Sequence, residues 1–252
     1  MKKTEKFRTE KDSLGEVRVP LNALWGAQTQ RAIENFPISG IKFKFPFGRS
    51  FIKALGAIKY SAAVANQDLG LITSRKANAI KNAARSVMNG DFDDHFPLDV
   101  FQTGSGTSTN MNANEVIANL ASKKLKTPIS PNDEVNMSQS SNDTIPTAIC
   151  ISALYDMEEF LFPGLELLIK EIDTKAKKLK GKLKTGRTHL MDAMPIDFYQ
   201  ELSGWSAQLK SSRDALIVAN KRMLNLPQGG TAIGTGVNAV SYTHLTLPTS
   251  HC

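Results

Sequence analysis

Two long stretches in the second half of the chain repeat apolar residues at the spacing of an α-helix. The first stretch follows 4-3-4-7 intervals and the second 4-3-4-7-7 intervals, so each predicts one apolar stripe. The stripes consist of Leu161, Leu165, Leu168, Ile172 and Leu179, and of Phe198, Leu202, Trp205, Leu209, Leu216 and Met223. Stripes of this length need partner helices, within a bundle or in a neighbouring subunit.

The first stripe extends upstream to Ile151, which predicts a helical rod over residues 143–180. Such a rod would be about 57 Å long at 1.5 Å per residue, with a kink at Pro163. Shorter helices are predicted at 49–69, at 74–88 with Ser74 as the cap and Gly90 in the stop signal, and at 110–124. Residues 7–47 are expected to be extended or irregular. Because strand-like alternation is scarce, the predicted fold class is mainly α.

The composition fits a chain that buries a core. Its 252 residues are 41% hydrophobic, which excludes a disulfide-stapled miniprotein and argues against wholesale disorder. The only cysteines are Cys150 and Cys252, so we expect a reducing compartment. No secretory signal is visible, and no apolar run approaches the ~20 residues needed to span a bilayer. We therefore expect a cytoplasmic protein without a membrane partner.

The basic character of the chain has two possible explanations. The net charge is +7, and part of the excess lies in the run from Lys175 to Lys184, where cations would oppose the negative end of a helix dipole. No aromatic residues interleave with the basic runs, which argues against a nucleic-acid partner. An anionic small substrate explains the charge equally well.

Three polar loops rich in hydroxyl groups are each predicted to lie directly before a helix. They cover residues 102–112, 138–144 and 184–192. The positive end of a helix dipole favours an anion there, although serine, threonine and asparagine before a helix also act as simple caps. The third loop carries His189, and an imidazole is suited to proton transfer near neutral pH.

Four sequence strings carry a family resemblance. They are QTGSGTSTNMNANEVIAN at 102–119, SQSSNDTIPTA at 138–148, GRTHLMDAMP at 186–195 and GGTAIGTGVNA at 229–239. In this order they resemble class II fumarate hydratase, of the fumarase/aspartase superfamily. The resemblance implies a small N-terminal lyase domain over residues 1–140. It also implies part of a central long-helix bundle over residues 141–239.

The resemblance implies reversible hydration of fumarate to (S)-malate, a step of the tricarboxylic acid cycle, without a metal or organic cofactor. It also implies a homotetramer whose subunits share each site, with His189 as the acid–base residue. The implied ligands of the substrate carboxylates come from three subunits: Ser105 and Thr107; Ser140, Ser141 and Asn142; and Thr188 beside His189.

Two other functions stay open. Aspartate ammonia-lyase is the nearest alternative, but that family tends to carry Ala, Thr and Gln at the positions of Ser105, Ser141 and His189, where this chain has the fumarase residues. A non-catalytic structural protein on the same scaffold is the other. It would have no reason to keep these loop residues.

The sequence departs from the family pattern in two regions. A secondary anion site at Asn132 and Asp133 is uncertain, because the preceding residues 127–130 supply no histidine or basic side chain; the pair could equally start a turn. Residues 240–252 resemble nothing in the family and are expected to be a non-native tail, whose two histidines and cysteine fit no zinc pattern. The family's downstream Gly-Ser-Ser base loop has no counterpart here, so the chain alone is expected to be inactive.

Overall fold

The structure is a computed structural model that describes residues 6–42 and 48–239. The predicted non-native tail, 240–252, lies outside the described residues. Those that are described form two compact units. The first takes the residues up to Ala153 and those from Leu226 onward, and the second is Leu154–Asn225. The division between residues 1–140 and 141–239 stays a prediction.

The first unit contains a β-hairpin and five helices or parts of helices. These are β1 (Phe7–Asp12), β2 (Gly15–Pro20), α1 (Ala27–Asn35), α2 (Gly48–Asp68), α3 (Ser74–Asn89), α4 (Thr107–Leu125) and the first part of α5 (Ser141–Asp156). The two strands pair antiparallel from Phe7 opposite Pro20 to Asp12 opposite Gly15. The segment predicted to be extended or irregular therefore holds both this hairpin and α1, a helix that the sequence pattern did not reveal.

The core of the first unit lies among α2, α3 and α4. Small residues let these helices approach closely: a Cβ at Gly56 of α2 would come within 2.8 Å of Met88 Cγ on α3. The larger side chains that fill this core are almost completely buried, namely Ile52, Leu55, Ile80, Val87, Val116 and Ile117. Close packing of this kind holds the ends of α2 and α4 in fixed positions.

Helix α4 also anchors the N-terminal region through a buried carboxylate. Glu115 accepts hydrogen bonds from the backbone N–H groups of Gly26, Gln28 and Thr29 at 2.8, 2.9 and 3.1 Å. These donors belong to the first turn of α1 and the residue before it, where N–H groups lack helical partners. Burial raises the pKa of Glu115, and these donors, with the Thr29 hydroxyl, oppose that rise.

Helix α3 shows how the sequence marks helix ends. The predicted stop is confirmed, since Gly90 adopts a left-handed conformation with φ 90° at the C-cap. The predicted cap is wrong by one residue: Thr73, not Ser74, accepts from the backbone N–H of Lys76. Ser74 is already the first helical residue.

The second unit is a helical hairpin with a small β-hairpin between its helices. It contains the end of α5, a π-helical turn at Met157–Leu161, α6 (Phe162–Lys178), β3 (Leu183–Thr188), β4 (Met191–Asp197) and α7 (Phe198–Met223). Lys210 pairs with Asp173 and Arg213 with Glu166, at 2.9 and 2.6 Å. Because the partner numbers run in opposite directions, α6 and α7 are antiparallel.

The predicted irregularity at Pro163 takes the form of the π-helical turn. The N–H of Phe162 donates to the carbonyl of Met157, five residues back. Pro163 has no N–H to continue the α-helical pattern, and a widened turn just before it accommodates that loss.

The apolar stripes of the second unit are only partly covered. Leu168 is 48% exposed and Trp205 51% exposed, whereas Ile169 and Ala176, beside the stripe on α6, are buried. Two helices can cover only one side of each other, so stripes of this width need further helices. None of the helices within residues 6–42 and 48–239 combines the length and the hydropathy that a membrane span requires.

Candidate active site

The first polar loop leads into α4 through a left-handed glycine. Gly106 has φ 70° and precedes Thr107, the first residue of the helix, which therefore begins three residues earlier than predicted. Gln102 Oε1 accepts from the backbone N–H of Thr109 at 2.9 Å, and Thr103 Oγ1 accepts from that of Ser108 at 3.3 Å. These two side chains cap the helix, so its N-terminus does not depend on Ser105 or Thr107.

Ser105 and Thr107 instead form an exposed pair of hydroxyl groups. Their oxygens lie 2.8 Å apart in a mutual hydrogen bond. Each hydroxyl can both donate and accept, so the pair keeps donor capacity for an incoming anion. The capping interpretation therefore holds for Thr103 but does not account for Ser105 and Thr107.

The second polar loop leads into α5 and combines capping with exposed donors. Ser140 Oγ accepts from the Asn142 N–H at 3.3 Å, and the Ser140 N–H donates to Asp143 Oδ1 at 3.0 Å. The capping interpretation holds for Ser140. Asn142 is exposed, and its Nδ2 donates to the carbonyl of Ala232 at 2.7 Å.

The structure brings the first two loops together. A Cβ at Gly106 would come within 2.9 Å of the Ile145 side chain, so the first loop lies directly against the first turns of α5. Asn110 of α4 also donates to Ser141 Oγ at 3.1 Å. The N-termini of α4 and α5, with their positive dipole ends, therefore lie side by side.

A third segment, the glycine-rich string at 229–239, contacts the N-terminus of α5 through Asp143. This carboxylate is 2% exposed, and its Oδ2 accepts from the N–H groups of Gly229 and Thr231 at 3.0 and 2.9 Å. The glycine-rich string at 229–239 thereby joins the loop that carries Ser140. The string at 229–239 is part of the family resemblance, but the sequence alone predicts no role for Asp143.

A buried lysine lies beneath the second loop. Lys59 of α2 is completely buried, and its Nζ donates to Asn136 Oδ1 at 2.9 Å and to Gln139 Oε1 at 2.8 Å. Burial lowers the pKa of Lys59 to about 7, against the opposing influence of the Asp143 charge. Nothing in the periodicity of α2 distinguishes this position from an apolar one, so no local pattern predicts its role.

The third polar loop forms a β-hairpin, which corrects the prediction that it precedes a helix. Thr188 pairs with Met191 at the end of β3–β4, and His189 and Leu190 form the two-residue turn with φ 51° and 62°. Helix α7 begins only at Phe198. Two positive φ values fit the twist of a tight hairpin, but they are costly for non-glycine residues.

The hairpin presents His189 at an exposed tip. Strand β3 is irregular at Gly186, where a Cβ would come within 2.6 Å of the Met194 carbonyl oxygen. Only glycine fits such an approach, and a bulge of this kind redirects the strand end. Thr188 and His189 belong to the second unit, while the other predicted ligands belong to the first.

The predicted secondary anion residues lie in a π-helical turn at Pro131–Val135. Asn132 and Asp133 are both exposed. Ser130 Oγ accepts from the Asp133 N–H at 3.0 Å and donates to the Asp133 carboxylate at 2.8 Å. The turn is thus stabilised by its own side chains, and an anion site here stays a prediction.

The candidate site of the first unit therefore consists of hydroxyls and amides above a buried ammonium. Within the described residues, no cluster of three or more histidine, cysteine or acidic side chains is placed to hold a metal ion. Cys150 of α5 is a half-buried free thiol. Such a site can bind carboxylates by hydrogen bonds, since hydroxyl, amide and ammonium groups all donate.

Comparisons with known proteins point to one family. A family model described as lyase matches residues 15–245, which extends beyond Ala239. Class II fumarate hydratases of Xylella fastidiosa strain Temecula1 and of Halobacterium salinarum are 55% and 54% identical over 94% and 93% of this chain. The aligned region is 50% of each of those proteins, so the chain spans about half the length of the curated relatives it matches.

Solved structures agree with the sequence comparison. The class II fumarase of Schistosoma mansoni superposes with a TM-score of 0.88 at 39% identity, over 94% of this chain and 50% of that one. A cobalt-bound fumarate lyase:delta crystallin of Brucella melitensis superposes with a TM-score of 0.88 at 40% identity, over 94% of this chain and 52% of that one. The chain therefore belongs to the lyase family, and within it is similar to class II fumarate hydratases.

Proposed function

We propose that this chain forms the carboxylate-binding half of an enzyme that reversibly hydrates fumarate to (S)-malate. The observation that carries the proposal is the juxtaposition of two loops at the paired N-termini of α4 and α5. The hydroxyl pair of Ser105 and Thr107 lies in one loop, and Ser140, Ser141 and Asn142 lie in the other. The names of the relatives support the choice of substrate.

The chemistry of this reaction fits such donors. In the dehydration direction, a weakly acidic proton next to a carboxylate is removed, and negative charge builds up on that carboxylate. Donors fixed in place before the reaction stabilise this charge without reorganising. An imidazole can donate and accept a proton, so His189 would accept the proton of the water as it adds and return it in the reverse reaction. Thr188 would bind a carboxylate beside it.

The site would be completed by other chains. We propose a cytoplasmic homotetramer in which the two first-unit loops of one subunit, which lie together within this chain, meet the His189 hairpin of another subunit; this replaces the expectation that the two loops come from different subunits. The incompletely covered apolar stripes of the second unit support this assembly, because they require further helices to cover them. The reaction would need no metal or organic cofactor, and the base would come from the half of the relatives that this chain does not span.

The test compares the whole protein with the 252-residue chain, following fumarate by its ultraviolet absorbance. The whole protein is expected to interconvert fumarate and malate, and the chain alone is expected to show no turnover. Thr107→Val and Ser141→Ala in the whole protein should each lower kcat/KM by about tenfold or more, since each removes a donor to a charged group. Ser152→Ala, at a half-buried serine of α5 whose hydroxyl donates to the carbonyl of Ile149 in its own helix, serves as the matched control.

Three outcomes would contradict the proposal. Faster release of ammonia from aspartate than of water from malate would identify an aspartate ammonia-lyase. Absence of both activities from a folded, assembled whole protein would favour a structural role. Turnover by the chain alone would show that its site is already complete.

A further inference from the structure

Lys59 is an unusual residue to find in the centre of a helical core. Its side chain has no exposed surface, and both of its hydrogen-bond acceptors are neutral amide oxygens. No carboxylate lies within ion-pair distance of it among residues 6–42 and 48–239. Removing a charge from water without an ionic partner is costly, so an apolar residue would stabilise the fold more.

The two acceptors belong to the segment that presents the second loop. Gln139 directly precedes Ser140, and its Nε2 donates to the carbonyl of Val135 at 3.0 Å, which closes the turn. Asn136 Oδ1 also accepts from Asn110 Nδ2 at 3.2 Å, and the same Nδ2 donates to Ser141 Oγ at 3.1 Å. The ammonium is thus connected to the helix N-termini on both sides of the site.

The nearby negative charge of Asp143 is already engaged. Its two oxygens accept from the N–H groups of Ser140, Gly229 and Thr231. Its influence on Lys59 is felt through space, where it favours the charged form of the lysine. Because burial lowers the pKa of Lys59 to about 7, the lysine carries its charge at and below that pH, and the charge is then only partly balanced beneath a loop whose exposed side carries donors.

We propose that Lys59 is a positioning residue, whose buried ammonium fixes the turn that carries Ser140, Ser141 and Asn142 and supplies positive potential for a dicarboxylate bound there. The first part of the proposal concerns the fold of the turn alone. The second part rests on the proposed function, because it requires a dianionic ligand. A charge in a low-dielectric interior acts over a longer range than one in water.

The first experiment measures hydrogen–deuterium exchange of the 252-residue chain. Lys59→Met should raise exchange rates in peptides covering 136–145 by about tenfold or more, because the turn loses two charge-assisted bonds. Peptides covering 74–90 should keep their rates. Lys124→Met, which removes an exposed lysine from the last turn of α4, is the control and should change neither region.

A second variant separates charge from geometry. Asn136→Asp keeps an oxygen for Lys59 and pairs its charge, but it loses the 3.3 Å bond from Asn136 Nδ2 to the Gln139 carbonyl, so the turn should lose much less protection from exchange than in Lys59→Met. In the whole protein this variant should raise KM for fumarate by about tenfold while kcat changes less than about threefold, since the field that attracts the dianion is cancelled. A purely structural lysine would leave KM unchanged in Asn136→Asp.

The outcomes distinguish this inference from the proposed function. Unchanged exchange at 136–145 in Lys59→Met, or an equal increase in all peptides, would overturn the positioning role. An unchanged KM in an active Asn136→Asp protein would overturn the electrostatic role. If the wild-type whole protein has no activity with fumarate, the proposed function and the electrostatic role both fail, and the exchange result alone decides the positioning role.

Discussion

Replacing Asp143 with alanine is expected to release the segment from Leu226 to Ala239 from the N-terminus of α5. The carboxylate is the shared acceptor for the N–H groups of Gly229 and Thr231 at 3.0 and 2.9 Å. Thr231 is also held at φ 56°, a left-handed conformation that a β-branched residue adopts only under constraint. The tether therefore maintains a loop conformation that the segment would not keep alone.

The size of the effect follows from these bonds. A hydrogen bond to a charged group contributes about 1.5–3 kcal/mol, so two of them amount to about 3–6 kcal/mol. These values already include the water that replaces the bonds when the loop opens, and relief of strain at Thr231 returns about 1 kcal/mol or more. A local cost of about 3 kcal/mol remains, which corresponds to roughly a hundredfold increase in the open population.

The assay is hydrogen–deuterium exchange of peptides covering 226–239 in the chain. Asp143→Ala should speed their exchange by about a hundredfold, and Asp143→Asn, which keeps one acceptor oxygen, by about tenfold. Asp91→Ala, at an exposed aspartate of the same unit, should have no effect. Unchanged exchange at 226–239 in Asp143→Ala would refute the reasoning, as would an increase shared equally by the α2–α3 core.

Three further changes test other parts of the structure. Gly106→Ala should lower the free energy of unfolding in urea by about 2–3 kcal/mol, because the added Cβ would contact Ile145 and the backbone φ is 70°. Gly104→Ala is the control: its Cβ has open space, so it should cost less than about 1 kcal/mol. Burial by itself would raise the pKa of Asp99. The hydrogen bonds that its carboxylate accepts, including those from the N–H groups of Ser39 and Phe101, outweigh burial and lower the pKa from 3.8 to about 2. Its stabilising contribution should be complete above pH 4 and lost as the pH falls toward 2, so Asp99→Asn should flatten the thermal stability profile over that interval. Leu190→Gly should raise stability by about 1 kcal/mol in thermal unfolding, since Leu190 is 96% exposed and held at φ 62°; a loss of stability would contradict the strain assigned to this turn.

Sequence patterns predicted the helices well where one face is apolar or a turn residue ends the element. The helix that ends at Gly90 and the long stripes of α6 and α7 follow directly from local spacing and turn chemistry. Helix α1 escaped prediction because its N-terminus depends on Glu115, which lies 86 residues or more away along the chain. The β3–β4 hairpin escaped because its turn consists of His189 and Leu190, residues that rarely adopt positive φ.

What the sequence by itself determined is the mainly helical fold, its family, and the hydroxyl-bearing loops that bind carboxylates in the proposed function. These are properties of local spacing and of contiguous strings, which need no knowledge of distant contacts. Only the tertiary structure decided which loops meet and what lies beneath them. Lys59 and Asp143 gain their roles from partners 77 or more residues away, and such pairings leave no trace in any local pattern.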